Sequence, residues 1–221
     1  MEDQKLTEEN KAGRGWLTAV LWLAVLIVAG IIGFSLDPIV LQTIADHPNK
    51  GARIVAGFLS KVGDWPGLMA IAAIVCFLVR KNRRLVIAVI CMMVAATLAG
   101  AAVNSVRLLS GRTRPNNTEV APGWYGVWHD GKWSLNKYKY HSFPSGHTGS
   151  AVAFFGVLGF AFRRWNWGFL LIGLAIGWSR IYLNVHHFSD VIVGAVVGLF
   201  FAQLTWERIR PLAERAWDSK Q

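Results

Sequence analysis

Long apolar runs separated by short basic turns dominate the chain. Residues 16–36 and 85–106 carry no charged side chain, and 191–206 form a third such run. A bilayer core about 30 Å thick needs roughly 20 apolar residues to be crossed by a helix. The pattern predicts six helical spans over 16–36, 66–79, 85–106, 147–162, 165–185 and 188–206. Between the first two, residues 52–65 place Ile54, Val55, Phe58, Leu59 and Val62 at helical spacing, with Arg53, Lys61 and Asp64 interleaved. That spacing predicts an amphipathic helix lying at the membrane interface. The fold class expected is therefore all-α: a six-transmembrane-helix bundle with one interfacial helix, built as a single domain over 1–221.

The polar stretch 107–146 is the largest extramembrane loop. It carries turn signals at Arg114-Pro115-Asn116-Asn117, Ala121-Pro122-Gly123 and Asp130-Gly131. Basic residues fix its side. Arg80, Lys81, Arg83 and Arg84 fill one tight turn, Arg163 and Arg164 the next, and Arg208, Arg210 and Arg215 follow the last span. With the 1–15 tail and the 207–221 tail, that face holds 13 of the 23 Lys and Arg residues. The positive-inside rule makes it cytoplasmic and puts the loop on the periplasmic or extracellular side. The first span is longer than a signal-peptide core and no small-residue cleavage site follows it, so it is read as a retained anchor. The expected location is a bacterial inner (plasma) membrane.

Composition agrees with a protein solvated by lipid. It is 53% hydrophobic and only 16% charged, where soluble domains carry roughly 25% charged residues. Several of the eleven Trp fall where spans would meet headgroups, among them Trp16, Trp65, Trp165, Trp167 and Trp206. The net charge of +10 would suit nucleic acid, but the bases cluster at span ends, where they set topology or meet anionic lipid. Nucleic acid is therefore not expected as a partner. Cys76 and Cys91 lie inside apolar runs and read as small core residues.

Three polar clusters interrupt the apolar pattern, and the six-span topology brings all three to one membrane face. The first runs from Arg107 to Arg114-Pro115. The second is Ser142-Phe143-Pro144-Ser145-Gly146-His147-Thr148. The third is Ser179-Arg180, followed by His186, His187 and Asp190. Ser145 and Gly146 stand where a helix begins, and its unpaired N–H groups make an anion site. Arg180, near the end of an apolar span, needs an anionic partner, and a phosphate receives its planar fork bidentately. Arg107 and Arg114 add positive charge from the loop side. His186 and Asp190 are spaced i, i+4, so on a helix the carboxylate would hold one ring nitrogen and leave the other as nucleophile. His147, from another helix, would act as general acid.

Each element has a plainer reading. Ser-Gly-His is a common helix cap, Arg180 could snorkel, and His147, His186, His187 and Asp190 include the ligand types of zinc. The surrounding arginines favour an anion over a cation. His129 and His141 read as ordinary loop residues, and Lys132, Lys137 and Lys139 as a solvated basic loop.

Taken together, the three strings resemble the signature of the type 2 phosphatidic acid phosphatase family. That pattern is Lys, six residues, Arg-Pro; Pro-Ser-Gly-His; and Ser-Arg, five residues, His, three residues, Asp. Arg107 to Arg114-Pro115, Pro144 to His147, and Ser179-Arg180 through His186 to Asp190 match it in turn. The leading Lys is Arg107 here, which keeps the charge and gains a bidentate donor. The resemblance selects His186 over the adjacent His187. It implies that His186 attacks phosphorus to form a phosphohistidine, with Asp190 orienting it and His147 as general acid. Arg107, Arg114, Arg180, Ser145 and the Gly146 amide would bind phosphate, with no metal or other cofactor. The implied substrate is a membrane lipid phosphate: phosphatidic acid, phosphatidylglycerol phosphate, a polyprenyl diphosphate or a lipid A phosphate. Transfer of the phosphate to another lipid is the alternative reaction. A non-catalytic transporter or binding protein is the alternative class, although no repeat or paired broken helices support it.

Overall fold

The computed structural model describes residues 2–135 and 137–219, with the backbone alone described over 2–15. Among the described residues, eight α-helices form one bundle: α1 (Glu2–Asp46), α2 (Lys50–Val62), α3 (Trp65–Leu78), α4 (Arg83–Ser110), α5 (Gly146–Ala161), α6 (Asn166–Tyr182), α7 (Phe188–Leu204) and α8 (Arg210–Asp218). A five-residue π-helical segment, Thr205–Ile209, joins α7 to α8 without a break in the rod. The connection between α4 and α5 holds a small hairpin of β1 (Trp128–His129) and β2 (Lys132–Trp133). Its Asp130-Gly131 turn has both φ angles positive, 49° and 71°, which suits a two-residue hairpin connection. The all-α expectation thus needs this one small addition.

Several boundaries differ from those read in the sequence. Helix α1 does not stop at residue 36 but continues through Asp37 and Pro38 to Asp46. The charge at Asp37 is buried and paired, so it does not require an exit from the helix. Arg107 lies in the last turn of α4 rather than in the loop, because α4 ends only at Gly111, whose φ of 62° closes the helix. The stretch after 206 is helical, and Arg83 ties it back by donating to the Glu214 carbonyl at 3.0 Å and pairing with Asp218 at 2.7 Å.

Among the described residues, three helices are long and apolar enough to cross a membrane: Trp16–Asp46, Arg83–Ser110 and Phe188–Asp218. α2 and α3 pass the same test only as a pair, bent by 67°. α5 and α6 are shorter, at 16 and 17 residues. These spans make the chain an integral membrane protein. The apolar side chains of α2 at Ile54 and Phe58 are 75% and 66% exposed, while Ala56 and Ser60 are buried against α6.

Helix α5 runs through the centre, enclosed by α4, α6 and α7. The buried core is mostly small or branched here, with Ala151, Ala153 and Val157 of α5 against Ala95, Ala99, Ile176 and Ala202, and Phe154 the one large side chain among them. In lipid, helices associate through close backbone packing more than through the hydrophobic effect. Gly194 shows how close: a Cβ there would lie 2.7 Å from the Ser145 carbonyl oxygen. α1 packs along α7, with Trp22 edge-on to Phe200 and its Nε1 donating to Gln203 at 3.2 Å. Higher up, Gly33 admits the Ser189 backbone, which a Cβ would meet at 2.8 Å. One turn beyond Gly33, on the same face of α1, stands Asp37.

Candidate active site

The helix ends bring the three polar clusters together at one end of the bundle. Ser145 caps α5, its Oγ accepting from the Thr148 hydroxyl at 2.9 Å, and its own N–H donates to the Asp190 carbonyl at 2.9 Å. The start of α5 is thereby fastened to the start of α7. The carbonyl of Arg180, at the end of α6, accepts from the N–H groups of Val185 and His186 at 3.1 and 3.3 Å. That turn presents His186 immediately below the first turn of α7. The i, i+4 spacing would put His186 and Asp190 on one face if both were helical. His186 in fact precedes α7, and the pair meets because Asp190 sits in that helix's first turn.

His186 and Asp190 are 1% and 0% exposed, with Nδ1 3.4 Å from Oδ2. The carboxylate is held on every side. Its Oδ2 accepts from Ser142 Oγ at 2.5 Å and from the His187 N–H at 2.8 Å, and its Oδ1 accepts from Arg112 at 2.6 Å. Burial pushes the His186 imidazole down to about 4, against the opposing pull of Asp190. At neutral pH the ring is therefore uncharged, with the nitrogen away from Asp190 carrying a lone pair.

The arginines divide into two kinds. Arg112 is fully paired: one terminal nitrogen serves Ser189 and Asp190 at 2.7 and 2.6 Å, and the other serves Asp37 at 2.7 Å. Among the described residues, Arg107, Arg114 and Arg180 have no carboxylate partner. Arg114 is oriented by the Tyr138 and Val185 carbonyls at 3.0 and 3.1 Å, and it lies 3.7 Å over the Tyr138 ring. Arg180 donates to Ser60 of α2, and its Nε, like that of Arg107, is enclosed without a partner. Burial lowers Arg114 to about 10, with Tyr138 and Asp190 opposing and the neighbouring Arg180 and Arg107 charges adding to the fall. Three clustered cations without counter-ions, two of them with unsatisfied nitrogens, make a site for an anion.

A cavity of about 480 Å³ opens beside this cluster, lined by Arg107, Gly146 and His147 together with Asn104, Asp64 and Trp65. The structure thus brings Arg107, Arg114, Ser145, Gly146, His147, Arg180, His186 and Asp190 to one locus. Gly146 lies against Arg107, whose guanidinium would stand 3.6 Å from a Cβ. His187 turns away, its Nε2 3.1 Å from the Thr113 carbonyl. Among the described residues no three His, Cys, Asp or Glu side chains form a group able to hold a metal ion.

Five participants have no role assigned from the sequence: Asp37, Ser60 and Ser189, and also Arg112 and Ser142, which lie inside the first two polar clusters. A lone acid next to an apolar run was the available signal for Asp37. His141 also proves less ordinary than its loop position implied. Its Nε2 is enclosed and unpartnered, and burial with the nearby Arg107 and Arg114 charges lowers its pKa.

Comparison with known proteins identifies the family. The model of the PAP2 superfamily matches residues 85–212. The chain belongs to that superfamily. All eight residues singled out in the sequence lie inside the matched segment, whereas Asp37 and Ser60 lie outside it.

Among curated PAP2 relatives, the lipid A 1-phosphatase of Rhizobium johnstonii is 31% identical over 107 residues, 48% of this chain and 42% of that protein. Lipid phosphate phosphatase 1 of Arabidopsis thaliana is 27% identical over 179 residues, 68% of this chain and 54% of that one. The undecaprenyl-diphosphatase BcrC of Bacillus subtilis is 32% identical over 77 residues, 33% of this chain and 39% of that one. The chain spans about half the length of the curated relatives it matches. Two crystal structures share the fold. Aquifex aeolicus LpxE has a TM-score of 0.60 at 21% identity, covering 78% of this chain and 95% of that one. A PAP2-type phosphatidylglycerolphosphate phosphatase from Bacillus subtilis has a TM-score of 0.57 at 18% identity, covering 91% and 96%.

Proposed function

We propose that the chain is a membrane lipid phosphatase that hydrolyses a phosphomonoester or diphosphate of a lipid through a phosphohistidine at His186. The observation that carries this reading is the group of three unpaired arginines around a buried, uncharged histidine backed by a carboxylate. A phosphate dianion offsets two of the three positive charges of Arg107, Arg114 and Arg180 and accepts hydrogen bonds from all three. It also receives the Gly146 N–H and the Ser145 side of the α5 terminus.

The His186 nitrogen away from Asp190 attacks phosphorus in line. The P–O bond to the lipid breaks as the P–N bond forms, and His147 protonates the departing alkoxide. Water then attacks the phosphohistidine, giving its proton back to His147 and releasing inorganic phosphate. Asp190 holds Nδ1 and steadies the positive charge that the ring acquires. The arginines stabilise the equatorial oxygens in both steps, the work that divalent metals do elsewhere, so no metal is required.

The membrane arrangement that suits this reading has six spans. α1, α4 and the α7–α8 rod cross fully, while α3, α5 and α6 cross as shorter helices. α2 lies at the interface, with its apolar side chains toward lipid and Ser60 on Arg180. The basic turns at 80–84 and 163–164 and the C-terminal helix stand at the opposite end from the site. By the positive-inside rule the chemistry then faces the periplasm or cell exterior of a bacterial inner membrane. The substrate class is a lipid phosphate of the outer leaflet. Phosphatidylglycerol phosphate, a polyprenyl diphosphate, a lipid A phosphate and phosphatidic acid are the members to be tested.

The experiment is phosphate release by detergent-purified protein from micelles of each of these lipids, with EDTA present and His186→Ala alongside. Release by the wild type alone supports the reading. Release that EDTA abolishes, or that His186→Ala retains, contradicts it.

A further inference from the structure

Helix α1 lies outside the segment matched by the PAP2 model, yet it delivers a carboxylate to within one side chain of the nucleophile's partner. Asp37 is buried. Its Oδ1 accepts from the Ser189 N–H at 2.8 Å, and its Oδ2 accepts from Ser189 Oγ and from Arg112, each at 2.7 Å. Arg112 in turn reaches Asp190 Oδ1 with its other terminal nitrogen, at 2.6 Å. The rings of Phe34 and Trp124 each lie 5.0 Å from the guanidinium carbon.

We propose that Asp37 is a positioning residue for the nucleophile: by claiming one side of Arg112 it keeps the second oxygen of Asp190 available to His186. The proposal rests on the phosphatase reading given above.

Two physical arguments support it. A guanidinium facing a lone carboxylate prefers the bidentate fork, which takes both oxygens. With Asp37 occupying one nitrogen, Arg112 meets Asp190 through a single nitrogen and a single oxygen. Oδ2 remains turned to Nδ1 of His186, steadied there by Ser142 and the His187 N–H.

The second argument is charge. Arg112 and Asp190 alone would form a neutral pair, leaving little negative field for a ring that turns cationic when it takes up phosphorus. One cation between two carboxylates carries a net negative charge, and His186 faces the end of that triad. The close approach of α1 at Gly33 sets the reach, because Asp37 follows one turn later on the same face. In this reading α1 completes the site as well as anchoring the protein.

The test compares Asp37→Asn with Ser189→Ala in the full-length detergent-purified protein, using the fastest lipid phosphate. Asp37→Asn removes the charge, whereas Ser189→Ala removes the hydroxyl that bonds both Asp37 and Arg112 but keeps the Asp37–Arg112 ion pair. Asp37→Asn is expected to lower kcat by about tenfold or more with KM within about threefold.

It is also expected to move the acid limb of kcat/KM to lower pH. The charged and titratable groups facing His186 are Asp190 from α7, Arg180 from α6, His147 from α5 and Arg114 from the loop. With the triad's net negative charge gone, this surplus of cations makes the ring harder to protonate. Ser189→Ala is expected to lower the melting temperature and leave the acid limb where it is.

Imidazole ¹⁵N resonances of His186, followed through a pH titration, give the same comparison without turnover. Their displacement in Asp37→Asn supports the role even if every lipid tested proves a poor substrate, so the two claims fail separately. A folded Asp37→Asn protein with wild-type kcat, acid limb and His186 resonances would overturn it. So would losses of kcat in both variants that simply track their melting temperatures.

Discussion

Nδ1 of His186 lies 3.4 Å from Oδ2 of Asp190, in a pocket that leaves the two side chains 1% and 0% exposed. An imidazole so enclosed has one nitrogen facing a carboxylate, which favours the tautomer with its proton on that nitrogen. Asp190→Asn keeps the shape but presents no second anionic oxygen, and it favours the wrong tautomer. The expected loss in kcat is on the order of 10³- to 10⁴-fold at neutral pH, with KM nearly unchanged. Steady-state phosphate release from lipid micelles checks it, provided the variant's melting temperature shows that it is folded.

Protonation of the nucleophile sets the acid side of the pH profile. Burial lowers His186 from 6.5 to about 4, so the lone pair survives well below neutrality. The acid limb of kcat/KM assigned to this ring is expected near pH 4, not near 6.5. Stability follows the same group with a definite sign. As pH falls through 6.5, the unfolded chain takes up the proton first, while the folded ring stays neutral until about 4. Folding therefore weakens across that window, by up to about 3 kcal/mol from this group. Melting temperatures measured from pH 7 to pH 4 should fall less steeply in His186→Asn than in the wild type.

The arginines should not be interchangeable with lysine to the same extent. Arg180 is braced by Ser60 through one nitrogen, so its other donors are aimed, and a lysine cannot keep both brace and phosphate contact. Arg180→Lys is expected to cost about 10- to 100-fold in kcat/KM. Arg107 makes no such braced contact, and lysine is the residue the family pattern carries at that place. Arg107→Lys is expected to stay within about fivefold of wild type, and Arg107→Ala to fall by about 100-fold or more. Kinetics of the three variants on one lipid substrate decide the ordering.

Packing at the centre of the bundle makes a separate prediction. A Cβ at Gly194 would stand 2.7 Å from the Ser145 carbonyl oxygen, so Gly194→Ala must push the α5 terminus away from α7. Overpacking of this kind costs about 1–3 kcal/mol. Here it also moves Ser145 and the Gly146 amide relative to His186, so activity should fall further than stability. Gly168 in α6 has open space around it, and Gly168→Ala should be neutral or slightly stabilising. Thermal unfolding and phosphate release on both variants test the contrast.

Much of the site was legible because its chemistry is written in short local strings. The Ser145 cap, the Arg107 and Arg114 pair and the Arg180–His186–Asp190 spacing each occupy a few neighbouring residues. The Asp130-Gly131 turn was legible for the same reason, since positive φ restricts which residues fit.

The missed parts depend on tertiary distance. Asp37 lies 75 residues from Arg112, just past the apolar run that ends at residue 36, and nothing local connects the two. Bonds from Arg112 and Ser189 satisfy the Asp37 charge inside α1, which continues as helix to Asp46. Arg112 itself sits in the same string as Arg107 and Arg114, and nothing in its spacing separates a paired structural cation from two unpaired ones. The last helix also meets Arg83 through Asp218 and the Glu214 carbonyl, contacts between distant residues that no local pattern encodes.

The phosphohistidine is the claim on which the mechanism stands, and it can be trapped. Wild-type protein in EDTA would be mixed briefly with a ³²P-labelled lipid phosphate, quenched, and examined for protein-bound label. The mechanism predicts acid-labile, base-stable label on the peptide containing His186, absent from His186→Ala and accumulating when water attack is slowed in His147→Ala with an activated leaving group. Turnover without protein-bound label, or label that persists in His186→Ala, would contradict it.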